Sequence, residues 1–191
     1  MKSHPFAAIK FILIMTLITG LFYPVIITIT GRVFFRDTAG GSIVKINGTA
    51  TGSMLLGQDF HSERYFWSRP SATGYNPVPS GASNLGPASD TLRRLAESRR
   101  IRFKRLNLLP DSVAVPAELV FASGSGLDPD ISPEAALLQV NRIVAARKLD
   151  ENQKKEVLLL IKNLTEEPQF HLLGERRINV FLLNLSLDKI R

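Results

Sequence analysis

The longest hydrophobic stretch of the chain lies near its N-terminus. Residues 11–31 contain no charged side chain and are bounded by Lys10 and Arg32, which matches the ~20 apolar residues that a helix needs to cross a bilayer. A cleaved signal peptide usually has an apolar region of only about 7 to 15 residues, followed by a small-residue cleavage site. The pattern therefore predicts a transmembrane helix that stays in the mature protein.

The flanking charges indicate an orientation. Lys2 and Lys10 favour a cytoplasmic N-terminus at residues 1–10, because basic residues collect on the cytoplasmic side of a membrane. Arg32 and Arg36 follow the span, but long domains cross a membrane largely regardless of their charge. We therefore expect residues 32–191 to form one soluble extracytoplasmic domain.

Several later segments have the pattern of strands. Asn47-Gly48 is a frequent hairpin turn and predicts a hairpin with the segment that follows it. Residues 113–122, VAVPAELVFA, are expected to be extended. Residues 178–187, INVFLLNLSL, are apolar at nearly every position, which is typical of a central strand with both faces buried.

The C-terminal half carries signals for two helices. Ser132 followed by Pro133 is an N-cap with proline at the first helical position, and the apolar spacing after it predicts a helix over residues 133–147. Asp150 and Gln153 have the spacing of a capping box and predict the next helix. Interleaved strands and helices indicate an α/β or α+β domain with a mixed sheet.

The positive charge is concentrated in one segment. The chain has a formal net charge of +7, and residues 90–105 hold seven basic and two acidic side chains. This segment is predicted to be a helix with Asp90 as its N-cap. It has no interleaved stacking aromatics apart from Phe103, which disfavours nucleic-acid binding. A helix that faces solvent or lipid is the favoured interpretation.

Residues 65–87, YFWSRPSATGYNPVPSGASNLGP, form a turn-rich segment that we call the aromatic loop. Tyrosine and tryptophan bury a large area at low entropic cost, so the loop is a candidate docking surface. For Trp67, packing against the domain's own core is an equal alternative, whereas docking is favoured for Tyr75 and Asn76. The candidate partner-binding residues are Tyr65, Trp67, Arg69, Tyr75, Asn76, Ser83 and Asn84.

The sequence offers little for metal or nucleophilic chemistry. The chain has no cysteine, and its three histidines are far apart without the spacing that places two imidazoles on one helix face. No metal site is expected. A second segment, residues 122–129, contains Ser123, Ser125 and Asp128, and we call it the glycine loop. It lacks the first glycine of a nucleophile elbow and is interpreted as a turn, with these three residues kept as site candidates.

Four segments carry a resemblance to a known family. They are GSMLLGQDF at 52–60, the aromatic loop, ASGSGLDPDISPEAALLQVNRIVAAR at 122–147 and LLGERRINVFLLNLSLD at 172–188. Together with the N-terminal span, they resemble the C subunits (KdpC) of the Kdp potassium-transporting ATPase over most of the chain. The departures are the strongly basic 93–105 region and Asn141, where the family often has proline.

The resemblance implies a complex at the bacterial inner membrane. Its other members would be a channel-like potassium-binding subunit, a P-type ATPase subunit and a small stabilising subunit, with membrane lipid around them and no nucleic acid. The C subunit would be a non-catalytic, single-span accessory needed for assembly and activity. The complex would use ATP, magnesium and potassium, with no cofactor bound directly by this chain.

Two further possibilities remain open at this point. The family has been proposed to assist ATP binding through a glutamine that corresponds to Gln139, although an extracytoplasmic domain would not meet cytosolic ATP. Gln139 is therefore kept as a nucleotide-related candidate. The alternative function is a membrane-anchored extracytoplasmic hydrolase or binding protein.

Overall fold

The computed structural model describes residues 4–190, so Lys2, which contributed to the predicted orientation, lies outside the described residues. The chain divides into two compact units with a boundary between Thr51 and Gly52. The helices are α1 (His4–Leu17), a π-helical turn (Ile18–Phe22), α2 (Tyr23–Phe34), α3 (Arg36–Ala39), α4 (Asp90–Leu106), a 3-10 turn (Ala117–Leu119), α5 (Pro133–Leu137), α6 (Val140–Arg147), α7 (Glu151–Leu164) and α8 (Val180–Leu187). The strands are β1 (Ile43–Ile46), β2 (Thr49–Ser53), β3 (Asp130–Ile131) and β4 (Ile178–Asn179).

The first unit contains one long apolar helix. The segment from α1 to α2 runs over His4–Phe34 and has 31 residues, none of them buried in its central apolar part. At ~1.5 Å per residue, this length exceeds the ~30 Å hydrocarbon core of a bilayer. The predicted span at residues 11–31 lies within this helix, which is long and apolar enough to cross a membrane.

Pro24 explains the π-helical turn inside this helix. Proline has no N–H, and its ring clashes with the carbonyl group four residues earlier, which here belongs to Gly20 within the turn Ile18–Phe22. A π-helical turn widens the helix at this point and separates the two groups. The hydroxyl groups of Thr19 and Thr28 donate to the carbonyl oxygens of Met15 and Pro24, both at 2.7 Å, so these polar atoms are paired within the helix.

The second unit has a core built mainly by helices. Residues from α5, α6, α7 and α8 meet around Phe66, which is fully buried. The most deeply buried apolar side chains of these helices are those of Ala135, Ala136, Ile143, Val157, Val180, Leu183 and Leu187. The core therefore joins the aromatic loop to the C-terminal half of the chain.

The strand predicted over residues 178–187 is wrong. Only Ile178–Asn179 is extended, and α8 follows directly, with the Oδ1 atom of Asn179 accepting a hydrogen bond from the Leu182 N–H group at 3.1 Å. An apolar run of this length is compatible with a buried strand or a buried helix. Val180, Leu183, Asn184 and Leu187 are buried at helical spacing, and Phe181 is buried on another side of the helix, so packing on more than one side of α8 accompanies the helical structure.

The predicted mixed sheet is not found among the described residues. The described residues contain two separate two-stranded sheets, β1 with β2 and β3 with β4. Asn47 and Gly48 both have positive φ values, 51° and 81°, as a tight hairpin turn requires, and the predicted hairpin is confirmed. Strands β3 and β4 are antiparallel, with Asp130 opposite Asn179.

Segment 113–122 was expected to be extended but contains the 3-10 turn Ala117–Leu119 and no strand. Pro116 precedes this turn and has no N–H group to offer to a neighbouring strand. A 3-10 turn instead closes locally, with the Leu119 N–H group bonded to the Pro116 carbonyl at 3.0 Å. The segment is therefore stabilised by a local turn.

Two of the predicted helix starts are confirmed. The Ser132 hydroxyl accepts from the Ala135 N–H group at 3.1 Å, and Asp150 with Gln153 forms the predicted capping box. The helix expected over residues 133–147 is interrupted, because α5 ends at Leu137 and α6 begins at Val140. Gln139 lies within this interruption.

The predicted N-cap of the basic helix is shifted by one residue. Ser89, rather than Asp90, caps α4 by accepting a hydrogen bond from the Leu92 N–H group at 3.3 Å. Asp90 lies in the first turn and pairs with Arg93 at 3.0 Å. The adjacent serine therefore takes the capping position, while the aspartate still favours the positive end of the helix dipole.

The cap of α8 provides a test of its helical structure. We expect Asn179→Ala to lower the free energy of unfolding by about 1 to 2 kcal/mol, because an N-cap acceptor is lost together with a hydrogen bond from Asn179 to the Met54 carbonyl at 2.8 Å. Asn179→Ser, which keeps an N-cap acceptor, should lose less. Urea unfolding of the full chain in detergent, followed by Trp67 fluorescence, measures both. Equal losses in the two variants would contradict capping by Asn179.

Candidate functional site

The start of the aromatic loop is held by two buried side-chain amides. Asn184 on α8 accepts from the Phe66 N–H group at 2.8 Å and donates to the Phe66 carbonyl at 2.9 Å. Gln139, between α5 and α6, accepts from the Trp67 N–H group at 2.8 Å and donates to its carbonyl at 3.3 Å. Gln139 and Asn184 are 0% and 2% exposed. Side chains thus satisfy main-chain groups that a neighbouring strand would bond in a sheet.

Arg142 on α6 contacts both Trp67 and Gln139. Its guanidinium carbon lies 3.8 Å from the centroid of the Trp67 ring, a cation–π distance. Its nitrogens donate to the Gln139 Oε1 atom at 2.9 Å, the Asn107 Oδ1 atom at 2.9 Å and the Glu63 carbonyl at 2.5 Å. Burial lowers the pKa of Arg142 to about 10, opposed by the negative charge of Glu63. Hydrogen bonds therefore offset part of the cost of burying this cation.

Trp67 is fixed by its ring edge as well as its main chain. The indole Nε1–H group donates to the Ser62 carbonyl at 2.9 Å, and the ring packs partly buried against the core. These contacts agree with the interpretation that Trp67 packs within its own domain. The side chain gives the aromatic loop a rigid base.

Tyr65 links the loop to the end of α8. Its hydroxyl donates to the Asp188 Oδ2 atom at 3.1 Å, while the Arg147 guanidinium lies 4.9 Å from the ring centroid. Arg147 also pairs with Asp188 at 2.6 Å and donates to the Arg64 carbonyl at 2.7 Å. Tyr65, Arg147 and Asp188 therefore anchor the first residue of the aromatic loop to the C-terminal ends of α6 and α8.

The middle of the aromatic loop is held by Arg69 and Tyr75. Arg69 forms an ion pair with Asp128 of the glycine loop at 2.7 Å, and the Tyr75 hydroxyl donates to the Arg69 carbonyl at 2.7 Å. Burial, with a smaller contribution from the Asp59 carboxylate, raises the pKa of Tyr75 to about 12, against an opposing effect of Arg99. Tyr75 is thus partly buried and neutral at physiological pH.

The glycine loop and the aromatic loop form one surface. The Ser123 N–H group donates to the Pro70 carbonyl at 3.1 Å, and the Gly81 N–H group donates to the Ser125 carbonyl at 2.9 Å. Gly126 has a φ of +71°, and a Cβ atom there would lie 2.7 Å from the Thr73 Oγ1 atom. The loops approach too closely at this point for a larger residue.

Some candidate residues point outward instead. Asn76, Ser83 and Asn84 are exposed, and Val78 is 79% exposed. We call these four residues the exposed edge of the aromatic loop. The Asn76 Oδ1 atom accepts from the Val78 N–H group at 3.0 Å, and this local bond fixes the turn that presents the edge.

A cleft lies beside the aromatic side chains. It has a volume of about 350 Å³ and is bordered by Trp67, Tyr75, Phe103, Arg99 and Arg102, among others. Its lining also includes the Asp59 carboxylate and the His61 imidazole, so charges of both signs border the cleft.

The candidates for catalysis are not assembled into one constellation. The His61 Nε2 atom lies 2.7 Å from the Asp59 Oδ2 atom, with both side chains exposed, while the Ser125 Oγ atom accepts from the Leu127 N–H group at 3.1 Å. Within residues 4–190, no group of three or more histidine, aspartate or glutamate side chains has a metal-binding arrangement. The Gln139 amide is hydrogen-bonded to Trp67 and Arg142.

Sequence reasoning missed Asn184, Arg142 and Asn107, and only Asn184 had a clear signal. Asn184 is the polar residue in the middle of an apolar run. A polar side chain on a buried face needs hydrogen-bond partners. That rule points to an internal polar contact but does not say where the partner lies in the chain.

Comparison with known proteins gives a consistent result. Residues 6–189 match the family model described as KdpC, K+-transporting ATPase, c chain. A potassium-transporting ATPase KdpC subunit of Methylococcus capsulatus is 45% identical over 195 residues, covering 100% of both chains. Proteins of the same name from Leptospira interrogans and Geobacter metallireducens are 45% and 43% identical, covering 95% and 96% of this chain and 91% and 96% of their own.

The Gln139 amide can be tested with two substitutions of similar size. Gln139→Leu should lower the free energy of unfolding by at least about 2 kcal/mol, because the buried N–H and carbonyl groups of Trp67 lose their partner. Gln139→Glu keeps an acceptor for the Trp67 N–H group and for Arg142, so its loss should be smaller. Urea unfolding and hydrogen exchange of the Trp67 amide report the effects. Equal tolerance of both changes would contradict this role.

Tyr75 predicts a stability change at high pH. Because burial raises its pKa to about 12 in the folded state, above the ordinary value of 10.0, its contribution to stability is complete below pH 10 and is lost as the pH rises towards 12. Phenolate absorbance should show one tyrosine that ionises last, and Tyr75→Phe should remove that component. Its persistence in the variant would assign the raised pKa to another tyrosine.

Proposed function

Since the chain belongs to the KdpC family, the c chains of K+-transporting ATPases, we propose that it is a non-catalytic accessory subunit of an ATP-driven potassium uptake complex. The match of the family over residues 6–189 carries this proposal, because it includes the apolar helix, both loops and the helical core. The partners are a channel-like potassium-binding subunit, an ATPase subunit and a small stabilising subunit. ATP, magnesium and potassium are used by the complex and not bound by this chain.

The proposed arrangement places the helix His4–Phe34 across the bacterial inner membrane. The N-terminus is cytoplasmic and the second unit is extracytoplasmic, supported by Lys10 before the apolar run and by the positive-inside tendency. All side chains of the central apolar part are exposed, so they can pack against lipid or neighbouring helices. A reporter that works only in the cytosol should be inactive when fused to the C-terminus.

An accessory role fits the way in which the polar residues are used. The amides of Gln139 and Asn184 bond the main chain, Arg69 pairs with Asp128, and the Tyr65 hydroxyl pairs with Asp188. These contacts fix the shape of a surface and do not orient a nucleophile. The nucleotide-related role of Gln139 would require its buried amide to exchange partners, so we favour a structural role for it.

The exposed edge of the aromatic loop is the proposed docking surface. Its residues stand on a base made rigid by Trp67 and Tyr75, and a preorganised surface loses little conformational entropy when it binds. Val78 supplies an exposed apolar side chain, with the amides of Asn76 and Asn84 beside it. An apolar contact with polar groups around it is the usual composition of a protein interface.

Co-purification tests both the role and the surface. A tagged full-length chain, isolated from its native membrane, should bring the other subunits of the potassium-transporting ATPase with it. Val78→Asp should weaken this association at least about tenfold, because a carboxylate buried in an interface would lose its hydration without a partner. Leu159→Asp is the matched control, since Leu159 is 54% exposed on α7.

The outcomes separate the two parts of the proposal. Retention of the partners by Leu159→Asp but not by Val78→Asp supports docking through the exposed edge. Equal retention by both variants would show that docking occurs elsewhere. If the parent chain itself brings no ATPase subunits, the accessory role is wrong.

A further inference from the structure

Helix α4 uses part of its positive charge within the second unit. Arg93 pairs with Asp90 at 3.0 Å, and Arg100 pairs with Glu97 at 2.6 Å. These two ion pairs involve both acidic residues of the helix. The charges of Arg93 and Arg100 are therefore partly neutralised by neighbours one turn away.

Two more cations of α4 are used in packing. The Lys104 ammonium group, in a side chain that is largely buried, donates to the Asp111 carbonyl at 2.7 Å. Arg99 donates to the Val120 carbonyl at 3.0 Å. Both contacts tie α4 to the segment that follows it, so these side chains are committed to the fold.

The remaining three arginines share one face. Arg94, Arg102 and Arg105 are exposed, and among the described residues none of them forms an ion pair. The Arg102 guanidinium also lies 6.0 Å from the centroid of the Trp67 ring, so one side of it contacts the second unit. Ser98 and Ile101 lie between them at helical spacing, and Ile101 is 55% exposed. We call these five residues the arginine face.

The chemistry of this face fits a phosphate next to an apolar group. Guanidinium groups bind phosphate oxygens with paired hydrogen bonds, and three of them stand around one exposed aliphatic side chain. A phospholipid surface presents phosphate groups directly above apolar chains, and interfacial helices use this combination of residues. The arginine face contains no aromatic side chain on which a nucleic-acid base could stack.

The presence of an apolar helix in the same chain favours a membrane, rather than a soluble anion, as the ligand of the arginine face. The same chain carries the helix His4–Phe34, which is long and apolar enough to cross a membrane. A covalent link to a bilayer raises the effective concentration of its surface around the second unit, so weak contacts from a few basic residues are sufficient. We propose that the arginine face binds the phosphate groups of anionic phospholipids at the membrane surface.

The absence of cysteine from the sequence allows a specific label. Ser98→Cys, carrying an environment-sensitive fluorophore, places a probe in the arginine face of the full chain. In nanodiscs that contain phosphatidylglycerol, the emission should shift to the blue, and high salt should reverse the shift because salt screens exposed charges. In nanodiscs of phosphatidylcholine alone, the shift should be absent. Asn163→Cys on the exposed side of α7 is the control label and should not respond.

Charge-matched variants then identify the residues responsible. Arg94→Gln, Arg102→Gln and Arg105→Gln together should weaken the interaction about a hundredfold, from ~1 kcal/mol per basic residue, and abolish the shift. The control removes three positive charges from α7 instead, by Lys154→Gln, Lys155→Gln and Lys162→Gln. It should retain the shift. Far-UV circular dichroism checks that each variant is folded, because the Arg102 guanidinium lies 6.0 Å from the centroid of the Trp67 ring and its removal alters Trp67 fluorescence directly.

Three results would overturn the proposal. They are a shift of equal size in phosphatidylcholine alone, an equal loss of the shift in both triple variants, and the same shift produced in phosphatidylcholine nanodiscs by inorganic phosphate or by heparin. The last result would assign the arginine face to soluble anions. If the arginine variant fails to fold, the comparison of the two lipid compositions and the two label positions still decides.

Discussion

The second unit depends on the hydrogen bonds that Asn184 and Gln139 make with the main chain of Phe66 and Trp67. These bonds connect the aromatic loop to α8 and to the junction of α5 and α6, and they lie beside the most buried part of the core. A main-chain N–H or carbonyl group left unpaired there would cost about 1 to 3 kcal/mol. The loop can therefore pass through the core without belonging to a sheet.

This constraint divides the aromatic loop into an inner and an outer part. Phe66 and Trp67 face the core, and Tyr65 and Tyr75 bond atoms of their own unit. The residues of the exposed edge are held by this base and turned towards solvent. A loop that is already ordered loses little entropy on binding, which is why a structural role for the inner residues and a docking role for the outer residues are compatible.

Helix α4 is divided in a similar way. Lys104 and Arg99 bond carbonyl groups of the following segment, while the arginine face remains exposed. A count of charges in the sequence does not separate these two groups, because each depends on what packs beside the helix. The surplus charge at the surface is smaller than the composition of residues 90–105 suggests, but it is concentrated on one face.

Local sequence was sufficient for several elements whose deciding interaction is local, although it placed the cap of α4 at Asp90 when Ser89 makes it. The apolar run at residues 11–31, the Asn47-Gly48 turn and the caps at Ser132 and Asp150 were predicted because each involves residues within a few positions of one another. Segment 178–187 was misassigned, since a run buried on all sides has no distinctive period. The tertiary structure alone decided the role of Asn184, because Phe66 lies 118 positions away in the chain, and a residue's sequence neighbours do not specify such a distant partner.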